Sequence, residues 1–278
     1  MTAHDDYVAG ASFELQNPNG SGVIILLHGL GADRNQPLEL IKRLRRGGLA
    51  VLAADARAHG STSTIGEPAD FRLDGMAADV AALANSVGQG GKPTHLVGIS
   101  MGAAVALRAA LNRSFDLQSL TLVRPAFTTR PLPANLRVMA KIGEALLAPD
   151  VTLARTAFED SPEYREVAAV SALGAASLLS QFAAPYARER SVRLREVPLN
   201  SAYENDEPAG IDVPTLVIGT EHDPVHPLSI AQEWHRQIDG SRLEIVPPRD
   251  EFPTLSAART AKLVVEHLER VAQAPVLS

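Results

Sequence analysis

Gly98-Ile99-Ser100-Met101-Gly102 is the segment of this 278-residue chain whose residue types and spacing point most directly to covalent chemistry. The serine stands between an apolar run, Thr94-His-Leu-Val, and an alanine-rich stretch containing Ala103, Ala104, Ala106, Ala109 and Ala110. That context predicts a strand, a sharp turn and a helix, with the hydroxyl projecting at the turn. Flanking glycines let strand and helix close together, and the Met101 N–H falls at a helix N-terminus, where developing negative charge is favoured. The implied chemistry is nucleophilic attack by Ser100 on an acyl carbon. A second turn, His28-Gly29-Leu30-Gly31, follows the apolar run Val23–Leu27. Its glycines allow backbone amides to approach a carbonyl oxygen, so Leu30 is the candidate second oxyanion donor beside Met101. His28 reads as a residue that holds this loop by hydrogen bonds rather than as a base.

These turns need a scaffold, and the chain supplies one. Short apolar runs at 23–27, 49–54, 94–98, 120–123, 215–219 and 243–246 alternate with helical patterns at 36–46, 74–87, 101–111, 228–238 and 257–272. Runs apolar on both faces suit parallel strands covered by helices, which predicts an α/β fold with a doubly wound, mostly parallel sheet. Residues 8–16 are expected to add an edge strand. Between Pro125 and Val213 the alternation stops, and the proline-punctuated sequence reads as helices at 135–147, 151–158, 164–170, 172–182 and 185–197. The predicted organisation is therefore a core of 1–124 and 212–278 with a helical cap inserted at 125–211. Such an insertion lies where open α/β sheets bind ligands.

Composition narrows the function classes. Apolar residues make up 45% and charged residues 21%, as in ordinary globular proteins, and the net charge of −6 offers nothing to a polyanion. Nucleic-acid binding is not expected. Cysteine is absent, which excludes disulfides, thiol nucleophiles and thiolate metal sites. No metal or organic cofactor is implied, because the sequence holds no H-x-x-x-H pair, P-loop or dinucleotide fingerprint. No signal peptide or membrane-length apolar run is read, so a cytoplasmic protein acting on a small molecule, without membrane association, is the expectation.

With both turns in view, the chain resembles the α/β-hydrolase superfamily, in particular small serine esterases and lipase-like members with a helical cap. The resemblance runs from about Val23 to the last helix and is weakest in the cap. Asp55-Ala-Arg57-Ala-His59-Gly60-Ser61 is similar to the family's D-x-R-G-x-G-x-S turn, which is structural. Thr220-Glu221-His222-Asp223-Pro224-Val225-His226-Pro227 resembles its G-x-x-D-x-x-V-P segment, which implies that Asp223 is the acid of a catalytic triad. The family's histidine should follow the run 243–246. Here the sequence reads Pro247-Pro248-Arg249-Asp250-Glu251-Phe252-Pro253, with Glu251 at the histidine position and Asp250 at the preceding glycine.

Three accounts of the base stand open. A histidine comes from elsewhere, with His226 on the Asp223 loop first and His222 second. Glu251 or Asp250 works directly, although a carboxylate's ordinary pKa of about 4.3 makes it a poor base for a hydroxyl. Or the machinery is degraded, leaving a ligand-binding member of the fold. The leading expectation is hydrolysis of a small carboxylic ester, lactone or related acyl compound through Ser100. Its rivals are a non-catalytic binder and a lyase- or oxygenase-like enzyme on the same scaffold.

Overall fold

The computed structural model describes residues 2–44, 48–204 and 206–273. Seven strands among them form one sheet: β1 (Phe13–Gln16), β2 (Val23–Leu27), β3 (Ala50–Ala54), β4 (Thr94–Ile99), β5 (Leu117–Val123), β6 (Thr215–Thr220) and β7 (Arg242–Val246). Their order is β1-β3-β2-β4-β5-β6-β7. β1 pairs antiparallel with β3, and the other pairings are parallel. The sheet is the mostly parallel one expected of an α/β fold.

Strand periodicity sorts the core into two layers. Ile24, Leu26, Val51 and Val97 face α2 (Leu38–Leu44) and α11 (Pro253–Gln273). Val23, Ile25, Leu27 and Leu96 pack on the opposite side with α3 (Leu73–Ser86) and α4 (Met101–Leu111). The central strands are buried on both faces, so their sequences are unbroken apolar runs rather than alternating ones. From β2 the chain crosses to β3 on one side and then to β4 on the other. The carboxyl ends of β2 and β4 thus form a switch point, where open α/β sheets leave a crevice. Leu27 pairs with Gly98 across that crevice, which brings the His28 and Ser100 turns side by side.

Between β5 and β6 the described residues form helices and no strand. They are α5 (Arg137–Ala145), α6 (Val151–Glu159), α7 (Pro162–Ala168), α8 (Ala172–Ser180) and α9 (Val192–Glu196), with short 3-10 turns. Two expectations are corrected. Residues 8–10 end a helix, α1 (Ala3–Gly10), and only 13–16 form the edge strand. The Thr2–Asp5 capping box, whose side chains satisfy each other's backbone N–H groups, starts that helix. The helix expected at 185–197 is reduced to Val192–Glu196, because residues 185–191 run as turns, with Tyr186 at a positive φ of 56°. Of the helix expected at 36–46, Leu38–Leu44 is observed, while Arg45 and Arg46 lie outside the described residues. α10 (Leu228–Gln237) and α11 follow the pattern closely.

Candidate active site

Ser100 sits between β4 and α4 with φ 56° and ψ −111°, a left-handed conformation that costs a non-glycine residue energy. The turn is held from several directions. Ser100 N donates to Val123 O at 2.9 Å, and the Ser100 carbonyl accepts from Ala103 N and Ala104 N. The two glycines are there for space. A Cβ on Gly98 would lie 2.1 Å from Gly102 O, and one on Gly102 would lie 2.2 Å from Leu27 O.

The hydroxyl of Ser100 meets a histidine. His226 Nε2 is 2.9 Å from Ser100 Oγ, and His226 Nδ1 is 3.0 Å from Asp223 Oδ2. Both partners come from one turn after β6. Asp223 O accepts from His226 N at 3.1 Å, and Asp223 Oδ1 accepts from the N–H groups of Val225 and His226. Aspartate at the first position and Pro224 at the second suit such a turn, since proline fixes φ and the aspartate side chain caps the following amides. Asn135, at the foot of the helical insertion, donates to Val225 O at 2.8 Å and Ala126 O at 2.9 Å, which ties the turn down.

This geometry fixes protonation. A neutral His226 with its proton on Nδ1 donates to Asp223 and leaves Nε2 to accept the Ser100 proton. Burial pushes the His226 pKa below its ordinary value; the Asp223 carboxylate pulls the other way, and Arg124 and Arg249 add to the depression. Although burial opposes it, the charges of His226, Arg124 and Arg249 and the His226 hydrogen bond hold Asp223 well below the usual carboxylate range. The pair is thus a neutral imidazole on an ionised carboxylate near neutrality.

The His28 turn and the start of α4 leave two amides open. Gly29 N donates to Gln36 Oε1 and Gly31 N donates to His59 Nε2, which uses both neighbours of Leu30. The N–H groups of Leu30 and Met101 have no hydrogen-bond partner among the described residues. His28 does hold the loop: its Nδ1 donates to Gly29 O, and its Nε2 accepts from Ala56 N. Burial lowers the pKa values of His28 and His59, as their acceptor roles require. Asp55 accepts from Arg34 N and Ser61 N, and Arg57 pairs with Asp79, so the 55–61 turn is built around internal bonds.

The carboxylates of the 247–253 loop go elsewhere, which corrects the placement of Glu251 at the base position. Glu251 is half exposed, and its Oε1 lies 2.9 Å from Nδ1 of the equally exposed His222. Asp250 accepts from Ser171 Oγ at 2.6 Å and Leu173 N at 2.8 Å, so it caps α8. Neither makes a contact with Ser100. Sequence reasoning missed two arginines. Arg124 Nη1 lies 3.4 Å and Arg249 Nη1 3.9 Å from Asp223 Oδ2. The available signal was a charged residue directly after the buried run 120–123.

Among the described residues no group of three or more His, Asp or Glu side chains is placed to hold a metal ion. No described helix is long and apolar enough to cross a membrane.

Comparisons with known proteins agree with the fold. A model of the alpha/beta hydrolase family matches residues 24–263. Monoacylglycerol lipase ABHD6 of Bos taurus is 25% identical over 276 residues, covering 96% of this chain and 81% of the relative. A pimeloyl-acyl-carrier-protein methyl ester esterase of Neisseria meningitidis is 26% identical over 251 residues, covering 87% of this chain and 90% of the relative. A thermophilic esterase from Thermogutta terrifontis superposes with a TM-score of 0.69 at 22% identity, covering 94% of this chain and 93% of that one. By the match along most of its length, the chain belongs to the alpha/beta hydrolase family.

Proposed function

We propose that this protein is a serine hydrolase of carboxylic esters, with Ser100 as nucleophile, His226 as general base and acid, and Asp223 as the group that orients and charges the base. The observation that carries the reading is the unbroken relay from Ser100 Oγ to His226 Nε2 at 2.9 Å and from His226 Nδ1 to Asp223 Oδ2 at 3.0 Å. Both distances lie within the reach a general base needs. The family relatives named for a lipase and a methyl ester esterase share one bond type, the carboxylic ester, and support that substrate class.

The steps follow from the geometry. Ser100 Oγ attacks the acyl carbon while its proton passes to His226 Nε2. The carbonyl oxygen becomes an oxyanion that accepts from the Leu30 and Met101 N–H groups, which carry no other hydrogen bond. His226 then protonates the departing alcohol, leaving an acyl group on Ser100. Water enters, gives its proton to His226 and attacks the acyl carbon, and the carboxylic acid leaves as Ser100 recovers its proton. The helices between β5 and β6 act as a cap over this site, with Gln181 Nε2 donating to Gly31 O and so resting on the oxyanion loop.

Turnover of p-nitrophenyl esters of graded chain length, with fluorophosphonate labelling, tests the reading. Wild type is expected to hydrolyse the esters and take the label on Ser100, and Ser100→Ala to lose both. An unlabelled, inert wild type overturns it in favour of a non-catalytic member of the fold.

A further inference from the structure

A cleft of about 450 Å³ opens between α2, the ends of β4 and β5, and the first turns of α11. The apolar residues accessible in its lining are Ile99, Leu173, Pro253 and Ala257, and Arg124 and Arg249 line the same space. The proposed catalytic steps use none of this space.

The two arginines are underused. The one carboxylate within 4 Å of either among the described residues is Asp223, although the Asp250 charge also acts on Arg249; both arginines approach the same Asp223 oxygen, Oδ2, which also accepts from His226. The separations of 3.4 and 3.9 Å are longer than the 2.7–2.9 Å of a close charge-assisted pair. A guanidinium carries five N–H donors in a fork matched to a carboxylate, so most of this capacity is unfilled. Nearby acids cannot fill it, because Asp250 is committed to Ser171 and Leu173 and Glu251 to His222. Arg124 is only 11% exposed, and burial beside Arg249 pushes its pKa down to about 10, so it stays charged at neutral pH. The start of α11, a 21-residue helix, borders the same space through Pro253 and Ser256 and adds a favourable field for an anion.

We propose that this cleft binds a straight-chain carboxylate, its acid group on the guanidinium groups of Arg124 and Arg249 and its chain along Ile99, Leu173, Pro253 and Ala257. A neutral chain would bury the same apolar wall but leave the arginine donors unpaired, so the charge decides between ligands. The site does not depend on the chemistry of Ser100.

Calorimetric titration of the full chain with hexanoate and with 1-hexanol tests the assignment. Hexanoate is expected to bind roughly tenfold or more tightly than the alcohol, as charge-assisted hydrogen bonds require. Arg249→Gln should remove most of that preference. Ala257 is exposed, so Ala257→Trp fills the cleft without disturbing the core and should abolish binding. Ser100→Ala should bind hexanoate like wild type, which separates this result from any failure of the esterase reading. Equal affinity for acid and alcohol, no hexanoate binding, or binding that survives Ala257→Trp or is indifferent to Arg249→Gln overturns the proposal.

Discussion

His226→Gln is the most informative single change, because it separates the observed relay from the position where the family resemblance implies the base. Glutamine keeps the bulk of the ring but cannot accept the Ser100 proton and return it. His226 makes both relay bonds at 2.9–3.0 Å and is only 12% exposed on its side chain, so water has little access to replace it. A general base is worth about 10²–10⁴ in rate, and the two ordered bonds argue for the upper end. The expected loss in kcat is about 10⁴-fold, or ~5 kcal/mol at 1.36 kcal/mol per decade. Adding Ser100→Ala to His226→Gln should cost little more, since residues that act as one unit are not additive. Glu251→Gln should stay within about twofold of wild type, because its half-exposed carboxylate serves His222. The assay is steady-state hydrolysis of p-nitrophenyl butyrate, with circular dichroism to confirm folding. Full activity in a folded His226→Gln, or a Glu251→Gln loss of similar size, would refute the reasoning.

The pH profile of kcat/KM should rise from acid and level off near neutrality, with its midpoint below the ordinary histidine value of about 6.5, since His226 must be neutral and burial lowers its pKa. Arg249→Gln should move that midpoint upward by removing a positive neighbour; a downward move or none counts against the electrostatic account. Burial pushes His267 down to about 4, so the unfolded chain binds the extra proton between that value and about 6.5. Stability from this residue is complete above the upper value and lost as pH falls toward the lower, by at most about 3 kcal/mol. Urea melts from pH 7.5 to 4.5 should show a smaller loss in His267→Gln than in wild type. Asp250→Ala removes a cap from α8 and should cost about 1 kcal/mol in a urea melt while leaving kcat nearly unchanged. Gly98→Ala forces a Cβ against backbone at 2.1 Å and should deplete soluble protein, measured by expression yield and melting temperature.

Sequence reasoning recovered what is local. The Ser100 elbow, the His28 turn and the central strands depend on residues that are neighbours along the chain, so pattern and spacing exposed them. The edge strand is shorter than the expected 8–16 because the Thr2–Asp5 capping box starts a helix that runs to Gly10. The base was harder. Whether His226 reaches Ser100 depends on how the 223–226 turn is tied to Asn135 and how β6 lies relative to β4, separated by β5 in the sheet. The arginines around Asp223 come from the ends of β5 and β7 and meet through sheet order, which spacing along the chain does not report.

The four-residue turn that carries both Asp223 and His226 also changes what the rim of the sheet must do. β7 is the last strand, and Ile245 on it is 48% exposed, so this border has less packing to protect it than the interior strands. Were the base carried on the loop after β7, every opening of that border would take the base with it. With the base on the β6 turn, β7 can fray and close again while the proton relay stays assembled. Amide hydrogen exchange along Arg242–Val246 can thereby proceed without breaking the Ser100–His226–Asp223 relay, only loosening the Arg249 contact, and heating should release the border before it extinguishes turnover.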